Sequence, residues 1–180
     1  MESTRLLLRN FIENDAKSCF ENFGKDKNLG RFIPLFPMKG VNEMEQFVKT
    51  LIPNHNAWII IEKSTQQAVG YITVDIPYPQ LMIGEIGYVI GEKFQKNGYA
   101  SEAVNVIMYE YLLNRDLYMI EAKYNEHNIA SANLLGNMGF HQDGRLRDRR
   151  IDLVSGDRND LVICSMTKNE YIAYKKSVMR

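Results

Sequence analysis

A chain of 180 residues with 45% hydrophobic content is sized for one domain, residues 1–180, and carries enough apolar material for a substantial core. Lysine plus arginine and aspartate plus glutamate both number 22, so no broad electrostatic field draws the chain to nucleic acid or to an anionic membrane. The cysteines, Cys19 and Cys164, form neither a CxxC pair nor a Cys/His cluster, which argues against a zinc site or redox motif, and no metal is expected.

The N-terminal stretch carries charges on both sides of Leu6-Leu7-Leu8 and lacks the apolar run of an export signal. The longest aliphatic or aromatic run, Ala57-Trp58-Ile59-Ile60-Ile61, falls far short of the roughly 20 residues of a spanning helix. A cytoplasmic protein is the expectation. Residues 5–10 predict an opening strand, and Asn14 or Asp15 caps a helix that ends at Gly24. Residues 25–41 are irregular, with Phe32, Leu35, Phe36 and Met38 among Gly30, Pro34, Pro37 and Gly40. Asn42 caps a second helix with Met44, Phe47, Val48 and Leu51 at helical spacing, stopped by Pro53.

Residues 57–62 and 69–76 predict antiparallel strands around a polar hairpin, and a further strand follows over 82–91. Residues 98–114 carry Ala100, Ala103, Val104, Ile107, Met108 and Tyr111 at helical spacing. A strand over 118–124 comes next, then a helix capped by Asn128 and ended at Gly139. The strand-like Phe140-His141-Gln142, a strand over 160–166 and a short C-terminal helix complete the pattern.

Chemistry concentrates where the strand over 82–91 turns into the helix after it. In Gln95-Lys96-Asn97-Gly98-Tyr99-Ala100, Gly98 and the small Ala100 let backbone approach a ligand, and the start of a helix offers unpaired N–H groups and a positive dipole end to a phosphate. Alternation puts Ile86, Tyr88 and Ile90 on one face of the preceding strand and Glu85, Gly87, Val89 and Gly91 on the other, so Glu85 borders a face of little bulk. A simple turn glycine and a salt-bridged strand carboxylate are the ordinary alternatives. His55, His127 and His141 share no metal-ligand or nucleophile spacing, and His127 beside Asn128 is the one alternative base. The basic run Arg145-Leu146-Arg147-Asp148-Arg149-Arg150, diluted by Asp143, Asp148 and Asp152, reads as a solvated hairpin before it reads as a nucleic-acid patch.

In these pieces the chain resembles the GNAT superfamily of N-acetyltransferases, and within it the ribosomal-protein N-terminal acetyltransferase (RimJ/RimL-like) branch. Thr4-Arg5-Leu6 with Leu8-Arg9 and Asp15-Ala16 carries the opening, Glu85-Ile86-Gly87-Tyr88-Val89-Ile90 the central strand, and residues 95–103 the pyrophosphate loop and helix. Asn128, Ser131 and Met138-Gly139-Phe140 carry a second cofactor segment. The resemblance implies an α/β (α+β) fold, a mixed, mostly antiparallel, splayed sheet of six to seven strands with about four helices.

It also implies acetyl-CoA as co-substrate and direct acetyl transfer to a primary amine, foremost a protein N-terminal α-amino group. The pantetheine arm would lie in a gap beside residues 85–91. Backbone groups of Val89, Ile90 and Gly91 would pair with it, Gln95, Lys96, Asn97, Gly98, Tyr99, Ala100 and Ser101 would hold the pyrophosphate, and Asn128 and Ser131 would reach its far side. Glu85 is the expected base, a bulge near Val89 or Ile90 would aim an oxyanion N–H, and Phe32 and Phe36, with Met38 and Tyr78 beyond them, would wall the acceptor mouth beside Glu85. Relatives place a tyrosine acid where this chain has Leu135, so Ser131 is the first candidate for that duty. Many relatives pair as homodimers, which extends to this chain by analogy. The alternatives are a catalytically weak acyl-CoA sensor and acetylation of a polyamine or aminoglycoside.

Overall fold

A computed structural model describes residues 1–178. Its strands are β1 (Leu6–Arg9), β2 (Ala57–Glu62), β3 (Ala68–Asp75), β4 (Ile83–Ile90), β5 (Met119–Asn125), β6 (His141–Ile151) and β7 (Arg158–Thr167). They form one sheet in the order β1-β2-β3-β4-β5-β7-β6, antiparallel throughout except where β4 runs parallel to β5. The helices are α1 (Asp15–Cys19), extended by a π turn over Phe20–Gly24, α2 (Val41–Leu51), α3 (Tyr99–Tyr109), extended by a π turn over Glu110–Asn114, α4 (Ile129–Asn137) and α5 (Lys168–Val178). Among the described residues five helices flank the expected mixed sheet.

Strand alternation divides the core into two layers. Trp58, Ile60, Ile72, Ile86 and Ile120 pack under α3, α4 and α5, whereas Ala57, Ile59, Tyr71 and Val89 pack under α1 and α2. The unbroken run Ala57–Ile61 is thus apolar because β2 is covered on both faces. α2 begins at Val41, and the extended Gly40 takes the cap position two residues before the expected Asn42. The Glu43 carboxylate accepts the Lys39 amide at 2.6 Å, which satisfies the chain ahead of the helix without Asn42. β6 runs to Ile151, much longer than its apolar beginning suggested, because its pairing with β7 breaks at a bulge over residues 147–149 of the basic segment and resumes at Arg150 and Ile151.

The ladder that positions the site is incomplete by construction. β4 and β5 pair from Ile83↔Met119 to Ile86↔Ala122 and no further, while β5 stays with β7 out to Asn125↔Leu161. The strands therefore part beyond Ile86. On its other edge β4 keeps an unshifted register with β3 from Asp75↔Glu85 to Gly70↔Ile90. The bulge expected near Val89 is absent; register shifts lie instead between Ile60 and Ile61 of β2 and, in β6, between Gln142 and Gly144 and between Leu146 and Arg150.

Candidate active site

The end of β4 beyond its last pair with β5 borders a cavity of about 410 Å³. Tyr88, Val89 and Ile90 line it from β4, residues 94–96 and 98–101 from the loop and the start of α3, and Asn128, Ser131 and Leu134 from α4 and its cap. Leu29, Phe32 and Ile33 close its mouth. The Gly91 N–H donates to the Val69 carbonyl at 3.0 Å, so alternation turns the N–H of Val89 toward β3 and leaves those of Tyr88 and Ile90 facing the gap. Of the backbone groups expected to meet a pantetheine arm, only those of Ile90 point there, and its carbonyl is already taken by Gln95 Nε2 at 3.0 Å. Gly91 has a packing duty, since a Cβ on it would run into the Asn22 carbonyl.

The loop after β4 is held by side chains and open at its backbone. Lys96 and Gly98 take left-handed conformations, φ 64° and 78°, which turn the chain sharply into α3. Among the described residues, no acceptor takes the N–H groups of residues 96–101. Asn97 directs its side chain back to the Phe94 and Gln95 carbonyls at 3.2 and 3.3 Å. Tyr99 is buried and hydrogen-bonds Glu62, so its ring anchors α3 to β2 and only its backbone faces the loop.

From the far end of the chain, Arg5 donates to the Asn97 carbonyl at 2.9 Å and to Glu102 Oε2 at 2.7 Å, with its guanidinium 4.8 Å from the Tyr99 ring centroid. Glu102 also accepts the Ser3 hydroxyl and the Arg5 amide. Burial works to raise the Glu102 pKa, but these donors outweigh it and hold the carboxyl below its ordinary value. Arg5 is a positioning residue that the sequence offered as part of a strand and of the family-like opening, with no sign of this contact.

Asn128 caps α4, its Oδ1 accepting the Ser131 N–H at 3.1 Å, and also lines the cavity, so the two readings of this residue coexist. Leu135, where a tyrosine was sought, is 1% exposed and belongs to the core under α4; the helix turns Ser131 and Leu134 to the cavity instead. Tyr88 supplies a hydroxyl that sequence reasoning passed over. Its oxygen is buried and unpartnered among the described residues. Burial pushes the phenol up to about 12; Ser131 is near enough to pull against that rise, yet no group meets the hydroxyl at hydrogen-bond geometry. A polar-tipped ring between Ile86 and Ile90 on the inward face was the available signal.

Glu85 lies on the opposite face of β4 from Tyr88, outside the cavity wall, and is ion-paired with Lys123 of β5. It sits between Asp75 of β3 and Glu121 of β5 in register. Burial, then the charge of Glu85, raises the Asp75 pKa. The expected acceptor-side aromatics separate: Phe32 is half-buried on the cavity mouth, whereas Phe36 is 1% exposed, edge-on to Phe23 in the core beneath α1 and α2. Phe36 is therefore a loop anchor, because residues 32–38 must bury an aromatic to stay on the body, and Met38 is buried with it. Tyr78 stays exposed.

Arg31 pairs with the buried Asp152 at 3.2 Å and the Leu153 N–H donates to the Gly30 carbonyl, tying the mouth to the β6–β7 turn. The basic segment is a hairpin in which Arg145 pairs with Glu126 and Asp160. Among the described residues no His/Cys/Asp/Glu group could hold a metal ion, and no helix is long and apolar enough to cross a membrane.

A family model described as an acetyltransferase (GNAT) domain matches residues 5–141. The "Uncharacterized N-acetyltransferase p20" of Bacillus licheniformis is 27% identical over 172 residues, 93% of this chain and 95% of that one. The "[Ribosomal protein uS5]-alanine N-acetyltransferase" of Escherichia coli is 30% identical over 86 residues, 48% of this chain and 43% of that one. Among solved structures, a GNAT-family acetyltransferase from Bacillus anthracis superposes with a TM-score of 0.84 at 21% identity, covering 94% of this chain and 99% of the other. RimL, a ribosomal L7/L12 α-N-protein acetyltransferase in complex with coenzyme A, superposes at 0.82 with 21% identity, covering 93% and 97%.

Proposed function

The chain belongs to the acetyltransferase (GNAT) domain family and is an acetyl-transferring enzyme that uses acetyl-CoA; from that premise we propose that its acceptor is a protein N-terminal α-amino group and that residues 1–180 act as one catalytic domain. The observation that carries the reading is the row of free N–H groups at residues 96–101, set at the end of the unpaired edge of β4. That row fits a pyrophosphate, and the gap-facing backbone of Tyr88 and Ile90 fits an amide-bearing arm that pairs like an added strand. The coenzyme supplies an acetyl group activated as a thioester.

The residues then divide the remaining work. Lys96, Asn97, Gly98, Tyr99, Ala100 and Ser101 contribute backbone donors, Gln95 fixes the loop to Ile90, and Asn128 and Ser131 bound the arm from α4. The Ile90 or Tyr88 N–H is oriented to stabilise a carbonyl oxygen in the gap. Glu85, directly or through a water, takes the proton of the attacking amine, and Phe32 borders the acceptor's approach. An α-amino group of pKa about 8 is partly neutral near pH 7 and needs only weak basic help, unlike a lysine near about 10.4. Glu85 already engaged with Lys123 suits that lighter task. The relatives named as a ribosomal protein uS5-alanine N-acetyltransferase and a ribosomal L7/L12 α-N-protein acetyltransferase support the acceptor class, and the cytoplasm and a homodimer are proposed by analogy with the family.

A thiol-release screen with acetyl-CoA against N-terminal peptides, polyamines, amino acids and aminoglycosides tests the proposal. Release that is fastest with peptides bearing a free N-terminus is expected. Preference for a polyamine or aminoglycoside refutes the acceptor assignment, and tight CoA binding without release from any amine turns the reading to an acyl-CoA-binding module.

A further inference from the structure

We propose that the Tyr88 hydroxyl is the hydrogen-bond donor to the coenzyme's sulfur as the acetyl group leaves it, the duty that Leu135 cannot perform. The proposal rests on the reading of the gap as the acetyl-CoA site. An arm that enters past residues 96–101 and follows the unpaired edge of β4 must end where β4 and β5 rejoin, at Ile86↔Ala122. Tyr88 is the first residue beyond that junction whose backbone faces the gap, and its ring lies on the α4 side with Ile86 and Ile90. Its oxygen is buried, unpartnered and carried by a residue that lines the cavity. A buried hydroxyl without a partner is costly to keep; this one lies beside Ser131 under the cavity wall, and a small movement of its ring toward the gap would let a ligand atom satisfy it.

The alternative hydroxyl, Ser131, sits one helical turn before Leu135 in the first turn of α4. Tyr88 reaches from the floor of the gap, on the opposite sheet face from Glu85, so donor and base flank the junction from two sides. Tyr88 holds its O–H on the sulfur while the amine nitrogen bonds to the acetyl carbon and the carbon–sulfur bond breaks. The electron pair stays on sulfur, and the proton shed by nitrogen leaves through Glu85 or water. Burial that pushes the phenol up to about 12 favours sharing the proton over losing it, because a thiol of pKa about 8.5 is the stronger acid.

The test titrates the ultraviolet absorbance of the thiolate of CoA bound to the parent and to Tyr88→Phe. In the parent the bound thiol is expected to ionise at lower pH than in the variant, by about one pH unit, a tenfold shift. Kd for CoA should stay within about twofold, and Tm should not fall, because the variant removes only an unsatisfied oxygen. Turnover with the fastest amine of the screen should drop about 100-fold. Identical thiol titrations in parent and variant overturn the proposal, as does turnover within about twofold of the parent. A shift kept in Tyr88→Phe but lost in Ser131→Ala assigns the donor to Ser131 and also overturns it. A parent that binds no CoA refutes instead the cofactor reading beneath the proposal.

Discussion

The two sides of the gap are built on different principles. On the proposed cofactor side the groups offered to the ligand are backbone N–H groups of residues 96–101, shaped by local conformation and braced by Arg5, Gln95 and Asn97. On the proposed acceptor side they are side chains gathered from distant strands and loops: Glu85, ion-paired with Lys123, and Phe32 on the cavity. Backbone presents the same donors whatever its side chains are, so the first design suits an invariant ligand. The second can be retuned one side chain at a time, which suits a variable acceptor.

Substitutions can break this contrast. The largest effect is expected in the loop that forms the acceptor wall. Phe36→Ala should cost about 3–5 kcal/mol of stability, read by urea unfolding, because the ring fills the core against Phe23. Phe32→Ala, four residues earlier, should cost under about 1 kcal/mol in the same experiment and act on KM for the acceptor instead. Equal losses would erase the distinction between anchor and wall.

Glu85→Gln should lower turnover about 100-fold with CoA affinity unchanged in isothermal titration. A weakened CoA affinity would place Glu85 with the cofactor machinery. Arg5→Ala should do the reverse, weakening CoA binding about fivefold through a loosened loop while kcat holds. The smallest effect comes from pH. The Glu102 carboxyl is held below its ordinary value, so the contribution of its clasp to stability is complete above the ordinary glutamate range and is lost as pH falls through the lowered value. Thermal melts of the parent should therefore steepen their decline at acid pH relative to Glu102→Gln; parallel curves would show that the clasp contributes nothing.

Much of the fold was legible because its signals are local. The alternation through β4, the helical spacing of α3, the Asn128 cap and the Gly139 terminator, with φ 85°, each follow from a few adjacent residues. β6 was under-read because a polar edge strand has no apolar period, only a partner to pair with. The same limit hid Phe36, whose loop carries no sign of which aromatic turns inward.

Sequence alone determined the elements, their order and the segment that offers a phosphate its N–H groups, because backbone conformation answers mainly to near neighbours. The tertiary structure decided where β4 parts from β5, which of its N–H groups face the opening, that Arg5 braces a loop ninety residues away and that Tyr88 leaves a hydroxyl unpaired beneath it. Those facts depend on register between distant strands, and register is set only when the whole sheet closes its core.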